Sequence, residues 1–193
     1  ARWQLAFCKK PMSQAGLVKT WKPDGVLVAS ELVEDVGKVL RRRGIPMVGL
    51  ALAPDADVLP CVQTDRAACA HMAAEHLLDA GFRQFAFLGK REDEGARIMK
   101  QAFEERCTCE HLSCTVRLEP RLPVRSPPLE KYFAELVAWL RALPKPVGLM
   151  VGSDSLGHRL IQGCDMAGLH VPQDVGLVAV GNNNDQCAFS IPA

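Results

Sequence analysis

Residues 64–89 read TDRAACAHMAAEHLLDAGFRQFAFLG, a helix, its stop and a strand in direct succession. Thr64 and Asp65 offer side-chain oxygens to the unpaired N–H groups of a helix's first turn. Over 66–80 the apolar residues Ala70, Ala73, Ala74, Leu77 and Leu78 recur at helical spacing on one face, and Gly81 stops the pattern. Phe85, Ala86, Phe87 and Leu88 then follow without alternation, the mark of a strand buried on both faces. Such a strand needs helices above and below its sheet, so this stretch points to an α/β fold built on parallel strands.

The same alternation continues in both directions. Apolar runs predict strands at 5–8, 25–29, 47–50, 61–63, 85–88, 113–118, 147–151 and 175–180. Leu32, Val36, Val39 and Leu40 predict a helix ended by Arg41-Arg42-Arg43-Gly44, since cations offset the carbonyl end of the helix dipole and glycine stops the turn. Tyr132, Phe133, Leu136, Val137 and Leu140 predict another over 129–143, with Pro144 as terminator, after a proline-rich surface loop at 120–128. A third, over 155–167, would take Asp154 as its N-cap.

Composition narrows the function. With 23 Lys and Arg against 22 Asp and Glu in 193 residues, the chain lacks the positive field that phosphate contacts require, which argues against nucleic-acid binding by these residues alone. At 48% hydrophobic residues a core can form, and no run of about 18 apolar residues exists to span a bilayer. The first residues carry no signal-peptide pattern. The eight cysteines sit mostly in apolar or helical surroundings, among them Cys69, Cys164 and Cys187, and read as free thiols of a cytoplasmic protein. The cluster Cys107, Cys109, His111 and Cys114 has the atoms of a soft metal site but not its spacing, and reads as a helix end running into a strand.

Open parallel sheets bind ligands beyond the carboxyl ends of their strands. Four polar tips qualify: 50–55, opening at Leu50; 89–97, ending at Arg97; 152–155, with Ser153; and 181–185, with Asn183. Asn, Ser and Asp suit vicinal hydroxyls, and Arg adds a planar fork. An enzyme reading fares worse. The segment Gly152-Ser153-Asp154-Ser155-Leu156-Gly157 lacks nucleophile-elbow spacing, no glycine-rich phosphate cradle follows a strand, and the histidines lie off the tips. No enzyme activity, cofactor or metal is expected.

Two separated stretches, 62–89 and 151–154 with 167–183, the latter containing Gly168-Leu169-His170-Val171-Pro172-Gln173-Asp174-Val175, closely resemble the effector domains of LacI/GalR-type transcription regulators. Residues 143–150 and 21–26 are similar to the xylose-operon activator subgroup, in which the sensor precedes an AraC-type DNA-binding domain. The resemblance implies a two-lobed, periplasmic-binding-protein-like fold closing on a small molecule, often a sugar. It implies further a first lobe over 1–88, a second over 89–181, the start of a return crossing over 182–193, and a homodimer. DNA would be reached through a domain outside this chain. By the same resemblance the ligand contacts fall on Ser153, Asn183 and Met99, with Arg97 as the nearest guanidinium, and the strand-tip reading adds Leu50. A secreted solute-binding protein of a sugar transporter would share the fold and is the competing function.

Overall fold

The structure, a computed structural model, describes residues 23–28, 34–50, 60–120 and 129–181. The strand predicted at 5–8, the loop at 120–128 beyond Pro120, and Asn183 and Cys187 lie outside the described residues. The chain divides into two units, Ala1–Thr64 and Asp65–Ala193.

In the first unit three parallel strands, β1 (Val26–Val28), β2 (Met47–Leu50) and β3 (Cys61–Val62), pair in sequence order. Helix α1 (Glu34–Arg42) joins β1 to β2 and drives Leu40 into a small core with Val26, Val39, Ile45 and Met47. Its arginine-rich end behaves as the sequence predicts. Arg41 and Arg42 lie in the last turn, and Gly44 takes φ 67° while its N–H donates to the Arg41 carbonyl. A left-handed residue at this place is natural for glycine and strained for others.

The second unit is a four-stranded parallel sheet in the order β5 (Cys114–Glu119), β4 (Phe85–Lys90), β6 (Val147–Val151), β7 (Val175–Ala179). Helices α2 (Arg66–Asp79) and α3 (Glu94–Cys109) cover one face, where Ala70, Ala74, Leu77, Met99 and Phe103 pack on Phe85, Phe87 and Met150. Helices α4 (Leu129–Ala142) and α5 (Asp154–Ala167) cover the other, with Leu136, Leu140 and Leu160 on Ala86, Leu88, Leu149 and Val151. Alternate residues of β4 and β6 thus enter opposite cores, and neither strand has a wet face to mark with polar residues.

Paired glycines let the sheet accept the turn after α2. Gly148 of β6 and Gly176 of β7 are register partners, and Phe82 lies against both. A Cβ on Gly176 would come within 2.3 Å of the Phe82 ring, and one on Gly148 within 3.1 Å of the Phe82 Cβ.

The units divide between Thr64 and Asp65, so α2 and β4 both belong to the second. Ser153, not Asp154, is the N-cap of α5, and Asp154 opens its first turn. Helix α3 runs to Cys109, after which 110–113 turn into β5, as read for the cysteine cluster. Among the described residues no helix is long and apolar enough to cross a membrane.

Candidate functional site

Backbone hydrogen bonds continue past the formal ends of the strands and lace their tips into one rim. The Arg91 N–H donates to the Glu119 carbonyl at 2.8 Å, Gly152 N–H to Leu88 at 2.9 Å, and Val180 N–H to Val151 at 3.1 Å. The carboxyl ends of β5, β4, β6 and β7 therefore stand side by side, where peptide groups and short polar side chains replace the apolar core. Helices α3 and α5 start from this rim.

The two helices start differently. Asp93 caps α3 through its side chain, which accepts from the Ala96 N–H at 3.2 Å. Ser153 caps α5 with extended backbone alone: its carbonyl accepts from the N–H groups of Leu156 and Gly157, while its side chain makes no capping bond. Its Oγ lies 3.2 Å from the Ser155 Oγ. Two half-buried hydroxyls at a helix start can donate and accept together, as a polyhydroxylated ligand requires. A hydroxyl facing a hydroxyl is a hydrogen-bonding pair and not an activated nucleophile.

Asp154 places its carboxylate over Gly181, where a Cβ would lie 2.3 Å from Oδ2. Gly181 also has φ 148°, so only glycine leaves room for the carboxylate and takes this backbone without strain. The first turn of α5 is itself a favourable seat for negative charge.

Arg97 and Met99 leave α3 in different directions. Met99 is 1% exposed within the core beneath the rim, its Cε 3.5 Å from where a Gly152 Cβ would stand. Arg97 is exposed and holds Glu94 by two charge-assisted hydrogen bonds, which keep the Glu94 carboxyl below its ordinary range. Leu50 ends β2 in the first unit, half-buried and paired with Val62. The structure thus brings Ser153 to the rim and Met99 beneath it and turns Arg97 toward solvent; Asn183 lies outside the described residues.

A polar cluster that sequence reasoning missed lies at the rim end of β5. Glu119 is 5% exposed, and its Oε2 accepts from the Tyr132 hydroxyl at 3.0 Å. Oε1 is 3.6 Å from Arg117 Nε, and both atoms are buried without a hydrogen bond. The Arg159 guanidinium of α5 stands over the Tyr132 ring at 5.4 Å. Burial first, and then the Glu119 charge, push the Tyr132 phenol up to about 12. The signal was present in the alternation Thr115, Arg117, Glu119, which places the two charges on the strand face that Tyr132 covers. Among the described residues no three His, Cys, Asp or Glu side chains converge as metal ligands.

Comparison with known proteins places this chain in a family. Residues 74–193 match a periplasmic binding protein-like domain, and residues 8–107 match the periplasmic binding proteins and sugar binding domain of the LacI family. The xylose operon regulatory protein of Escherichia coli K12 is 24% identical over 195 aligned residues, covering 96% of this chain and 48% of that protein. The structure of the xylose-binding transcription activator xylR superposes with a TM-score of 0.67 at 24% identity, over 83% of this chain and 43% of that one. A LacI family transcriptional regulator from Enterococcus faecium with bound ribose superposes with a TM-score of 0.68 at 19% identity, over 96% of this chain and 68% of that one. The chain spans about half or less of the length of the curated relatives it matches.

Proposed function

The chain belongs to the family of periplasmic binding proteins and sugar-binding domains of the LacI type, and from that premise we propose that it senses a small sugar for a bacterial transcription regulator. The observation that carries the reading is the rim itself. Ser153 holds α5 by backbone alone and keeps its hydroxyl, beside that of Ser155, for a ligand rather than for the helix. A pentose is the favoured ligand, because relatives aligned over almost the whole chain are named for the xylose operon and a similar fold holds ribose.

In this reading Ser153 and Asn183 bond ligand hydroxyls, and Met99 sets the apolar floor under the β6 tip. Arg97 takes part by exchanging its Glu94 partner for the ligand. The protein works in the cytoplasm as a homodimer, and an AraC-type DNA-binding domain outside this chain makes the output.

The test is DNA binding by the complete protein, with promoter fragments from its own genome, measured with and without pentoses. Sugar-dependent affinity for a specific fragment supports the regulator. Sugar binding with no DNA response is what a transporter's solute-binding protein would give, and it contradicts the proposal.

A further inference from the structure

Helices α2 and α3 both start at the rim. Helix α2 packs over β6 and β7, and α3 over β4 and β5. Phe82, in the turn after α2, lies against Gly148 and Gly176 at the amino ends of β6 and β7, so the first turn of α2 stands at their carboxyl ends. Arg66 opens α2 and is half-buried. It reaches across to the first turn of α3, where its Nε lies 3.4 Å from the place a Cβ would take on Gly95. The next residue of α3, Ala96, packs on the tips of β4 and β6. Its Cβ lies 3.2 Å from where a Gly89 Cβ would stand and 3.7 Å from where a Gly152 Cβ would stand. Arg66 therefore meets α3 one residue from the place where the strand leading into Ser153 meets it.

A cation gains nothing from the helix it opens. The first turn of a helix is the positive end of its dipole and disfavours Arg. Helix α2 has no acidic residue in that turn to offset the charge. The nearby carboxylates serve the two helix starts: Asp65 accepts from the Ala68 N–H at 2.9 Å, and Asp93 from the Ala96 N–H at 3.2 Å. Among the described residues the Arg66 guanidinium makes no hydrogen bond or ion pair. A guanidinium holds five N–H donors and no acceptor, so this one offers a full set of donors beside the rim.

We propose that Arg66 is the sugar-binding guanidinium of the rim, its planar fork donating to two vicinal hydroxyl oxygens of the ligand held at Ser153; the assignment rests on the rim's being a sugar site. The fork suits two adjacent oxygens, which a lysine ammonium does not match. Arg97 must give up two charge-assisted bonds to Glu94 before it can do the same, whereas Arg66 gives up only its hydration. The Ser153 and Ser155 hydroxyls can donate or accept, but Arg66 only donates, so it selects for ligand oxygens placed to accept.

Titration calorimetry of the complete protein with xylose, ribose and their monodeoxy analogues is the test, on wild type, Arg66→Met, Arg66→Lys, Arg97→Met and Ser153→Ala. The sugar that wild type binds should be weakened about tenfold or more by Arg66→Met, with Arg66→Lys recovering only part and Arg97→Met costing less. The deoxy analogues lacking either hydroxyl at Arg66 should bind wild type more weakly than the parent sugar does, yet should lose less than the parent when Arg66 becomes Met. The urea midpoint of Arg66→Met should equal or exceed that of wild type, since a cation leaves the positive end of a helix. A lower midpoint, or the same fractional loss for every analogue, would make Arg66 a structural residue and overturn the inference. Wild-type affinity in Arg66→Met beside a loss in Ser153→Ala would overturn it while leaving the rim reading in place. No binding of any sugar by wild type would overturn both.

Discussion

Tyr132 is the chain's single tyrosine, so its phenol can be followed without interference. In the folded chain it is buried against Glu119 and pushed up to about 12, above the ordinary value of about 10. A proton held more tightly by the folded than by the unfolded chain stabilises the fold fully below about pH 10. That contribution is lost as pH rises from about 10 to about 12. Phenolate absorbance should therefore rise with a midpoint near 12 in the native chain and near 10 in urea. Tyr132→Phe should lose stability less steeply across the same interval; an unchanged slope would show that Glu119 and burial do not hold this proton. At the same scale, Ser153 and Asp65 are both N-caps with different duties. The Asp65 side chain accepts from the Ala68 N–H at 2.9 Å, whereas the Ser153 side chain caps nothing. Urea denaturation should show a loss of about 1 kcal/mol for Asp65→Ala. Ser153→Ala should stay within about 0.5 kcal/mol of wild type. A large loss for Ser153→Ala would mean that the hydroxyl serves the fold.

At the level of elements, the turn from α2 into β4 locks the sheet by placing Phe82 over the paired glycines of β6 and β7. Adding one methyl at Gly176 puts it inside the ring's van der Waals surface, so Gly176→Ala should cost about 1–3 kcal/mol. Shrinking the ring by Phe82→Leu in the same chain should restore part of the loss. Additive losses in the double variant would place the strain elsewhere. This contact explains which elements were legible. The helix over 66–80 and the strand at 85–88 stand out in sequence because each buries its apolar face against the other, and a cap and a glycine mark their ends. What periodicity could not reveal was the sheet order. Strand β4 begins its unit yet pairs on both sides, and this draws residues 65–88 into the second unit. The cluster at Glu119 was hidden for a related reason. Its two charges occupy inward positions of a strand, where pattern reading expects apolar residues, and their partners come from α4 and α5.

For the molecule as a whole, the strand tips were readable because a parallel sheet must change from apolar to polar where its strands end. Which tip residues face a ligand was not readable, since Arg97 and Met99 are two residues apart and a helix sends such neighbours to different sides. Calorimetric titration decides whether the rim binds a sugar. The complete protein should be titrated with a panel of pentoses and hexoses, beside Ser153→Ala and Asn183→Ala. One sugar should bind, and each substitution should weaken it by roughly 1–3 kcal/mol, about fivefold to 150-fold in Kd, through hydroxyls left unpaired in the bound complex. Wild-type binding with equal affinity in both variants would contradict the account.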